Sequence, residues 1–213
     1  MGCFLDTYKT IINETTTQFV EKHSRFIGYV AHTKTDEEAV AFIEKIRSIH
    51  SDARHNVYAY SLNAENRSRY SDDGEPHGTA GKPILDIING FELKDVTVVV
   101  TRYFGGILLG TGGLVRAYTK AAKDTLLVAD KYLMVPGVCY KVECEYNNYA
   151  HLQALINKFE GVIDDTVFEN NVILHFTLPF EKAGRFLTAL ADNFANNILA
   201  EEIDRRFTKQ KIF

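Results

Sequence analysis

Apolar and polar positions along the chain recur in two periods. The stretches "TIINETTTQFVE" and "RFIGYVAHT" alternate and carry β-branched or aromatic residues, which predicts a pair of strands. "TDEEAVAFIEKIRSIHSDA" opens with a threonine cap and an acidic first turn and puts Ala39, Ile43, Ile46 and His50 on one face, predicting a helix. "HNVYAYSL" reads as a strand and "NAENRSRYSDDGEPHGTAGKP" as a long polar loop dense in turn residues. A short helix at "ILDIINGF" precedes the strand "VTVVVTRYF", whose unbroken valine run suits burial on both faces. From Leu114 a long helix turns Leu114, Tyr118, Ala121, Ala122, Thr125 and Ala129 inward.

Beyond Pro136 the rhythm changes. "VCYKVECEY" predicts a strand and "YAHLQALINKFE" a helix with Gly161 as its C-cap. "VIDDTVFE" and "VILHFTLPF" predict a hairpin across "NN", "EKAGRFLTALADNFA" a second helix and "LAEEIDRRFTKQ" a closing strand. This βαββαβ order is that of the split-βαβ, ferredoxin-like unit. The expected class is α+β, with one domain over residues 1–135 and a ferredoxin-like domain over 136–213.

Composition narrows the setting. The 213 residues are 46% hydrophobic, enough to bury a sizeable core. Cys3, Cys139 and Cys144 form no CxxC spacing and no disulfide framework, which points to a reducing compartment. No apolar run approaches the roughly 20 residues that span a bilayer. The start "MGCFLD" has Asp6 where a myristoylation signal takes Ser or Thr, and it has none of the features of a signal peptide. A cytoplasmic protein without membrane association is expected. Residues 1–135 carry 16 Lys and Arg against 17 Asp and Glu, and residues 136–213 carry 8 against 11. Neither half has the basic excess of a non-specific nucleic-acid binder, so a nucleic-acid site must be a local patch.

Chemistry concentrates in two glycine-bearing segments. "RYFGGILLGTGGLVRAY", residues 102–118, places five glycines between a strand and a helix, with an arginine on each side. A dinucleotide fingerprint starting at Gly110 needs glycine at position 115, where Val115 stands. A Walker loop ending in "GTAGKP" needs glycine at 76 and Ser or Thr at 83, where Pro76 and Pro83 stand. What survives is a strand-to-helix turn whose amide groups and helix dipole favour an anion. Arg116, Lys120 and Lys123 follow i, i+4, i+7 and share one outward stripe. Two readings follow: a cationic pocket for phosphate, nucleic acid or an acidic partner, or a purely internal arrangement in which Asp72–Glu75 folds over and supplies the negative charge.

The acidic segment "SDDGEPHGTAGK" joins Asp72, Asp73, Glu75 and His77, residue types able to hold a hard metal or move a proton, but its spacing is not that of an EF-hand. Acidic residues beside Gly and Pro ordinarily make turns. His55 and His77 could meet in space, and Tyr58, Tyr60, Tyr70 and Tyr103 could stack bases, although tyrosines alternating on a strand more often pack a helix. No nucleophile–base framework is present. The expectation is no catalytic residue, no metal and no cofactor.

The blocks "SRFIGYVA", "HNVYAYSL", "YSDDGEPHGTAGKPIL" and "VVVTRYFGGILLGTGGLVRAY", in this order, resemble the signature of the IMPACT family, in its two-domain bacterial branch. The resemblance covers nearly the whole chain. It implies an N-terminal domain like domain 2 of ribosomal protein S5, followed by a ferredoxin-like domain similar to those of ribosomal translocation factors. Eukaryotic members restrain a starvation-responsive kinase of translation initiation by competing for its activating scaffold, a pathway bacteria lack. For bacterial members the resemblance implies association with RNA, the ribosome or a protein partner in translation control. His77 stands where the family carries a small residue. The surface so implied comprises Asp72, Asp73, Gly74, Glu75, Gly78, Thr79, Gly81 and Lys82 of the first segment. From the second come Arg102, Tyr103, Gly105, Gly106, Gly110, Gly112, Gly113, Arg116 and Lys120. The expected function is non-enzymatic, translation-linked binding in which Arg102 and Arg116 both contribute and neither is needed for folding. The alternative is an enzyme acting on a phosphorylated small molecule or nucleotide, with Asp73 or Glu75 moving the proton.

Overall fold

The computed structural model describes residues 6–64 and 66–211; Cys3 and the Met-Gly start lie outside them. The chain divides into two compact units, Tyr8–Leu133 and Met134–Gln210. In the first, the alternation expected to make one strand makes two, β1 (Tyr8–Ile11) and β2 (Thr15–Glu21), because the chain bends at Asn13. β3 (Ser24–His32) returns antiparallel to β2 after the two-residue turn Lys22–His23. α1 (Asp36–Ile49) begins where expected, with the Thr35 side chain accepting the Glu38 amide.

β4 (His55–Leu62) is followed by a further strand, β5 (Arg67–Ser71), inside the segment expected to be loop. "RSRYS" lacks an apolar alternation because it is an edge strand, paired only with β4, and charged edges discourage pairing between molecules. α2 (Gly81–Gly90), β6 (Val96–Tyr103) and α3 (Thr111–Val128) complete the unit.

β2 to β6 form one antiparallel sheet in the order β2-β3-β6-β4-β5, to which β1 does not belong. Phe26, Val30, Val57, Ala59, Val98 and Val100 pack against α2 and α3, while Ala31, Tyr60, Leu62 and Val99 pack against α1. β6 is therefore buried on both faces, as its valine run required. The stripe foreseen on α3 is buried, extended by Ala117 and Leu126. Alternation along β6 sends Arg102 and Tyr103 to opposite faces. Arg102 turns to the α3 side, and Tyr103 meets His50 at the end of α1.

His50 lies in a directed chain of hydrogen bonds. The Asp52 carboxylate can only accept, so Tyr103 donates to it (2.9 Å) and the Tyr103 oxygen accepts from His50 Nδ1–H (2.8 Å). The neutral ring's Nε2 then accepts from the Tyr29 hydroxyl (2.6 Å). Burial, seconded by Arg25, holds the His50 pKa below its ordinary 6.5, and burial does the same to His32 beside Thr10. With folded pKa values depressed, this stabilisation is fully present above pH 6.5 and is lost as the pH falls through the folded values. Urea midpoints measured from about pH 7.5 to about 5 should fall on acidification, and His50→Gln should fall less steeply.

The second unit contains β7 (Lys131–Cys144), which enters it from the first, then α4 (Tyr146–Lys158), β8 (Val162–Phe168), β9 (Val172–Pro179), α5 (Phe180–Phe194) and β10 (Ala200–Lys211). β7 pairs β9 and β9 pairs β8, both antiparallel, and β10 also pairs β7. Val138, Tyr140, Val142, Leu174, Phe176 and Leu178 face a core completed by Leu152 and Ile156 of α4 and Phe186 and Leu190 of α5. Gly161 is not the C-cap of α4. Glu160 takes the left-handed turn (φ 59°), and a Cβ on Gly161 would stand only 2.6 Å from the Ile156 side chain.

Candidate functional site

Residues 72–82 are folded inward by their own contacts. The Asp72 carboxylate accepts the amides of Gly78 (2.8 Å), Ala80 (3.1 Å) and Gly81 (2.8 Å), and so caps α2. Asp73, at φ 44°, accepts from the Asn56 amide (2.6 Å) and from Arg47 (3.1 Å). Thr79 turns its hydroxyl to the Pro76 carbonyl, and Lys82 pairs with Asp86. His77 is exposed beside Asp72, whereas His55 Nδ1–H donates to the Asp73 carbonyl (2.8 Å). Among the described residues no three His, Cys, Asp or Glu side chains gather in a metal-binding group. Asp72→Ala would strand three amides at once, with an expected loss of about 1–2 kcal/mol in urea unfolding.

Glu75 reaches furthest in. It accepts Arg102 Nη1–H (2.6 Å) and the Tyr118 hydroxyl (2.8 Å) on one oxygen, with its side chain 4% exposed and that of Arg102 6%. Burial and the Glu75 charge push the Tyr118 phenol far above its usual range, so it remains a donor. The Arg102 guanidinium also lies 5.6 Å from the Phe26 ring centroid and 5.5 Å from that of Phe104, while its Nε–H is buried without a partner.

The glycine segment then passes across the β2–β3 hairpin. A Cβ on Gly105 would lie 2.0 Å from the His23 carbonyl carbon and 2.4 Å from the Ser24 nitrogen, so only glycine fits. The Gly105 amide donates to Ser24 Oγ (3.2 Å). The hairpin turn itself holds Lys22 (φ 45°) and His23 (φ 65°) in the left-handed region, without the glycine or asparagine such turns favour. Gly110, at φ 72° and ψ 165°, adopts a backbone conformation essentially reserved for glycine and starts α3 at Thr111, three residues before the expected Leu114.

The start of α3 differs from that of α2. No side chain caps it and no acidic residue occupies its first turn. Arg116 therefore stands in the second turn, with Nη1 3.7 Å from where a Cβ on Gly112 would be. It is exposed and, among the described residues, has no acidic partner, whereas Lys120 pairs with Asp124. A groove of about 200 Å³ runs past Arg116 and Lys120, lined also by Lys22, Glu21, Phe19 and Gly113. A second cleft of about 320 Å³ lies over Glu75 and Arg102, between Arg54 and His55 on one side and Phe104, Leu108 and Leu114 on the other.

The two arginines flanking the glycines are thus not equivalent. Arg102 is a buried partner of Glu75, so the expectation that Arg102→Ala leaves folding untouched does not hold. Asp72, Asp73 and Glu75 neutralise amides, Arg47 and Arg102, and none of them reaches Arg116. Tyr103 faces α1 and lies outside both the groove and the cleft. Sequence reasoning missed Lys22 and Arg54, whereas Phe104 lies within the 102–106 stretch that the resemblance marks. For Lys22 the signal was "EKHS", a two-residue link between alternating stretches.

Comparison with known proteins identifies the family. The Impact N-terminal domain matches residues 22–126, and the domain of unknown function DUF1949 matches residues 142–197. IMPACT family member YigZ of Escherichia coli is 42% identical over 80% of this chain and 85% of its own length. An IMPACT family member of Haemophilus influenzae is 36% identical over 86% of this chain and 90% of its own. A crystal structure described as that of a hypothetical protein covers 94% of this chain and 98% of its own, with 36% identity and a TM-score of 0.61. The chain is an α+β protein of two domains, and it belongs to the IMPACT family. No helix among the described residues is long and apolar enough to cross a membrane.

Proposed function

We propose that this protein is a non-enzymatic binding protein of translation that contacts the phosphate backbone of RNA, ribosomal RNA included, through the groove at the start of α3. One observation carries the reading: Arg116 stands exposed beside an uncapped helix N-terminus, and every carboxylate of the 72–75 segment is already engaged elsewhere. Lys22 and Lys120 line the same groove, giving a local cationic patch on a protein whose net charge is −4. The glycines 105, 106, 110, 112 and 113 bring the backbone close enough for the α3 amides to join the contact.

Family membership supports the link to translation. The finer folds belong to the same proposal: a domain like domain 2 of ribosomal protein S5 over residues 1–135, and a ferredoxin-like domain over 136–213. The pairing of β7 with both β9 and β10, and of β9 with β8, supports the latter. The enzyme alternative draws no support from Asp73 or Glu75, both held by arginines. In fluorescence anisotropy with a single-stranded RNA, Arg116→Ala should weaken binding about three- to tenfold at low salt while leaving the urea midpoint unchanged. Unchanged affinity in that variant would remove the groove from the account.

A further inference from the structure

The cleft over Glu75 and Arg102 shares only Leu109 with the groove of Arg116 and has different chemistry. Its walls are largely apolar. Phe104 and Leu108 are exposed there, Leu108 to 81%, and Leu114 and Pro76 extend the same surface. Its polar groups are few and are left with capacity for a ligand. Arg54 is exposed and has no acidic partner among the described residues, and its guanidinium lies 5.8 Å from the Phe104 ring centroid. His55 donates through Nδ1 to the Asp73 carbonyl, which leaves Nε2 unused, 3.9 Å from Glu75. Arg102 lines the wall but is held by Glu75, and its unpartnered Nε–H is itself buried, so it forms the floor of the cleft without offering a donor to it. Gly110 and Thr111 bring the uncapped start of α3 to the same rim.

We infer that this cleft is a small-ligand site for a phosphomonoester with a flat or apolar organic part. The Arg54 guanidinium and the first amides of α3 are donors at this rim and His55 Nε2 is an acceptor, a set that suits a group with three terminal oxygens of which one can carry a proton. A carboxylate would leave part of that capacity unused. The apolar wall takes the organic part, and about 320 Å³ falls at the small end of ligand sites, the scale of one nucleotide rather than an oligomer. A free metabolite and the 5′-phosphorylated end of an RNA carry the same chemistry. The inference does not rest on the RNA reading of the groove.

The test is amide NMR on the ¹⁵N-labelled full chain, titrated with phenyl phosphate, adenosine 5′-monophosphate, inorganic phosphate, phenol and a 5′-phosphorylated trinucleotide RNA. Phenyl phosphate or the nucleotide should shift the Thr111 and Gly112 amides saturably, at least about tenfold more tightly than inorganic phosphate, with phenol inert. Arg54→Ala and Phe104→Ala, both changes at exposed side chains, should each weaken binding about tenfold, and Arg116→Ala should leave it unchanged. Tighter binding of the trinucleotide than of the free nucleotide identifies an RNA end as the source; equal or weaker binding identifies a free metabolite. The inference is overturned if no phosphomonoester gives saturable shifts, or if inorganic phosphate binds as tightly as phenyl phosphate. Binding that is abolished by Arg116→Ala and indifferent to Arg54→Ala would also overturn it. RNA binding at the groove could survive any of these results, so the two readings fail separately.

Discussion

Glu75→Ala should lower the unfolding free energy by about 3–5 kcal/mol, because it leaves the Arg102 guanidinium charged and buried without its counter-ion. The change also takes the acceptor from the Tyr118 hydroxyl, a fully buried group at the centre of the α3 contact. Arg102→Ala strands the opposite charge and should cost about as much. In the double variant Glu75→Ala, Arg102→Ala no charge remains to be stranded, so its loss should be clearly smaller than the sum of the two single losses. Urea unfolding of the four proteins measures this directly. Additive losses would mean that the pair is not the coupled unit its 2.6 Å contact describes.

Gly105→Ala should be nearly as damaging, at about 3 kcal/mol or more, and for a different reason. The added methyl would meet backbone atoms at 2.0–2.4 Å, and backbone cannot rotate aside as a side chain can. The hairpin it strikes already holds two non-glycine residues at positive φ. The expected result is a lowered urea midpoint together with weaker RNA binding, since Lys22 sits on that turn. Gly106→Ala should be milder: nothing lies within 4 Å of its Cβ, and only the positive φ of 84° is strained.

These contrasts explain what could be read from the chain. The helix faces, the valine strand and the βαββαβ order follow from local periodicity, which the tertiary structure keeps. β5 was hidden because an edge strand with one partner needs no apolar alternation, and the break at Asn13 because a single bend leaves the pattern on either side intact. The candidate site was legible as two glycine-bearing segments, but the division of labour inside it was not. Which carboxylate meets which cation depends on contacts 26 to 43 residues apart, Arg47 with Asp73, Arg102 with Glu75 and Tyr118 with Glu75. Sequence spacing gives no access to these. Gly105 was visible as a glycine, while its purpose, passage over His23, depends on a strand pairing some eighty residues away. Arg54 and Phe104 join the cleft only because β4 and β6 are neighbours in the sheet.

The central claim is that the carboxylates of residues 72–75 leave Arg116 free for RNA phosphates. The most direct test is the salt dependence of single-stranded RNA affinity for the full chain and for the triple variant Lys22→Ala, Arg116→Ala, Lys120→Ala. The account predicts that log affinity falls against log salt with a slope of about −2, as about three phosphate contacts require, and that the triple variant flattens it towards zero without loss of fold. An unchanged slope and affinity in a folded triple variant would contradict it.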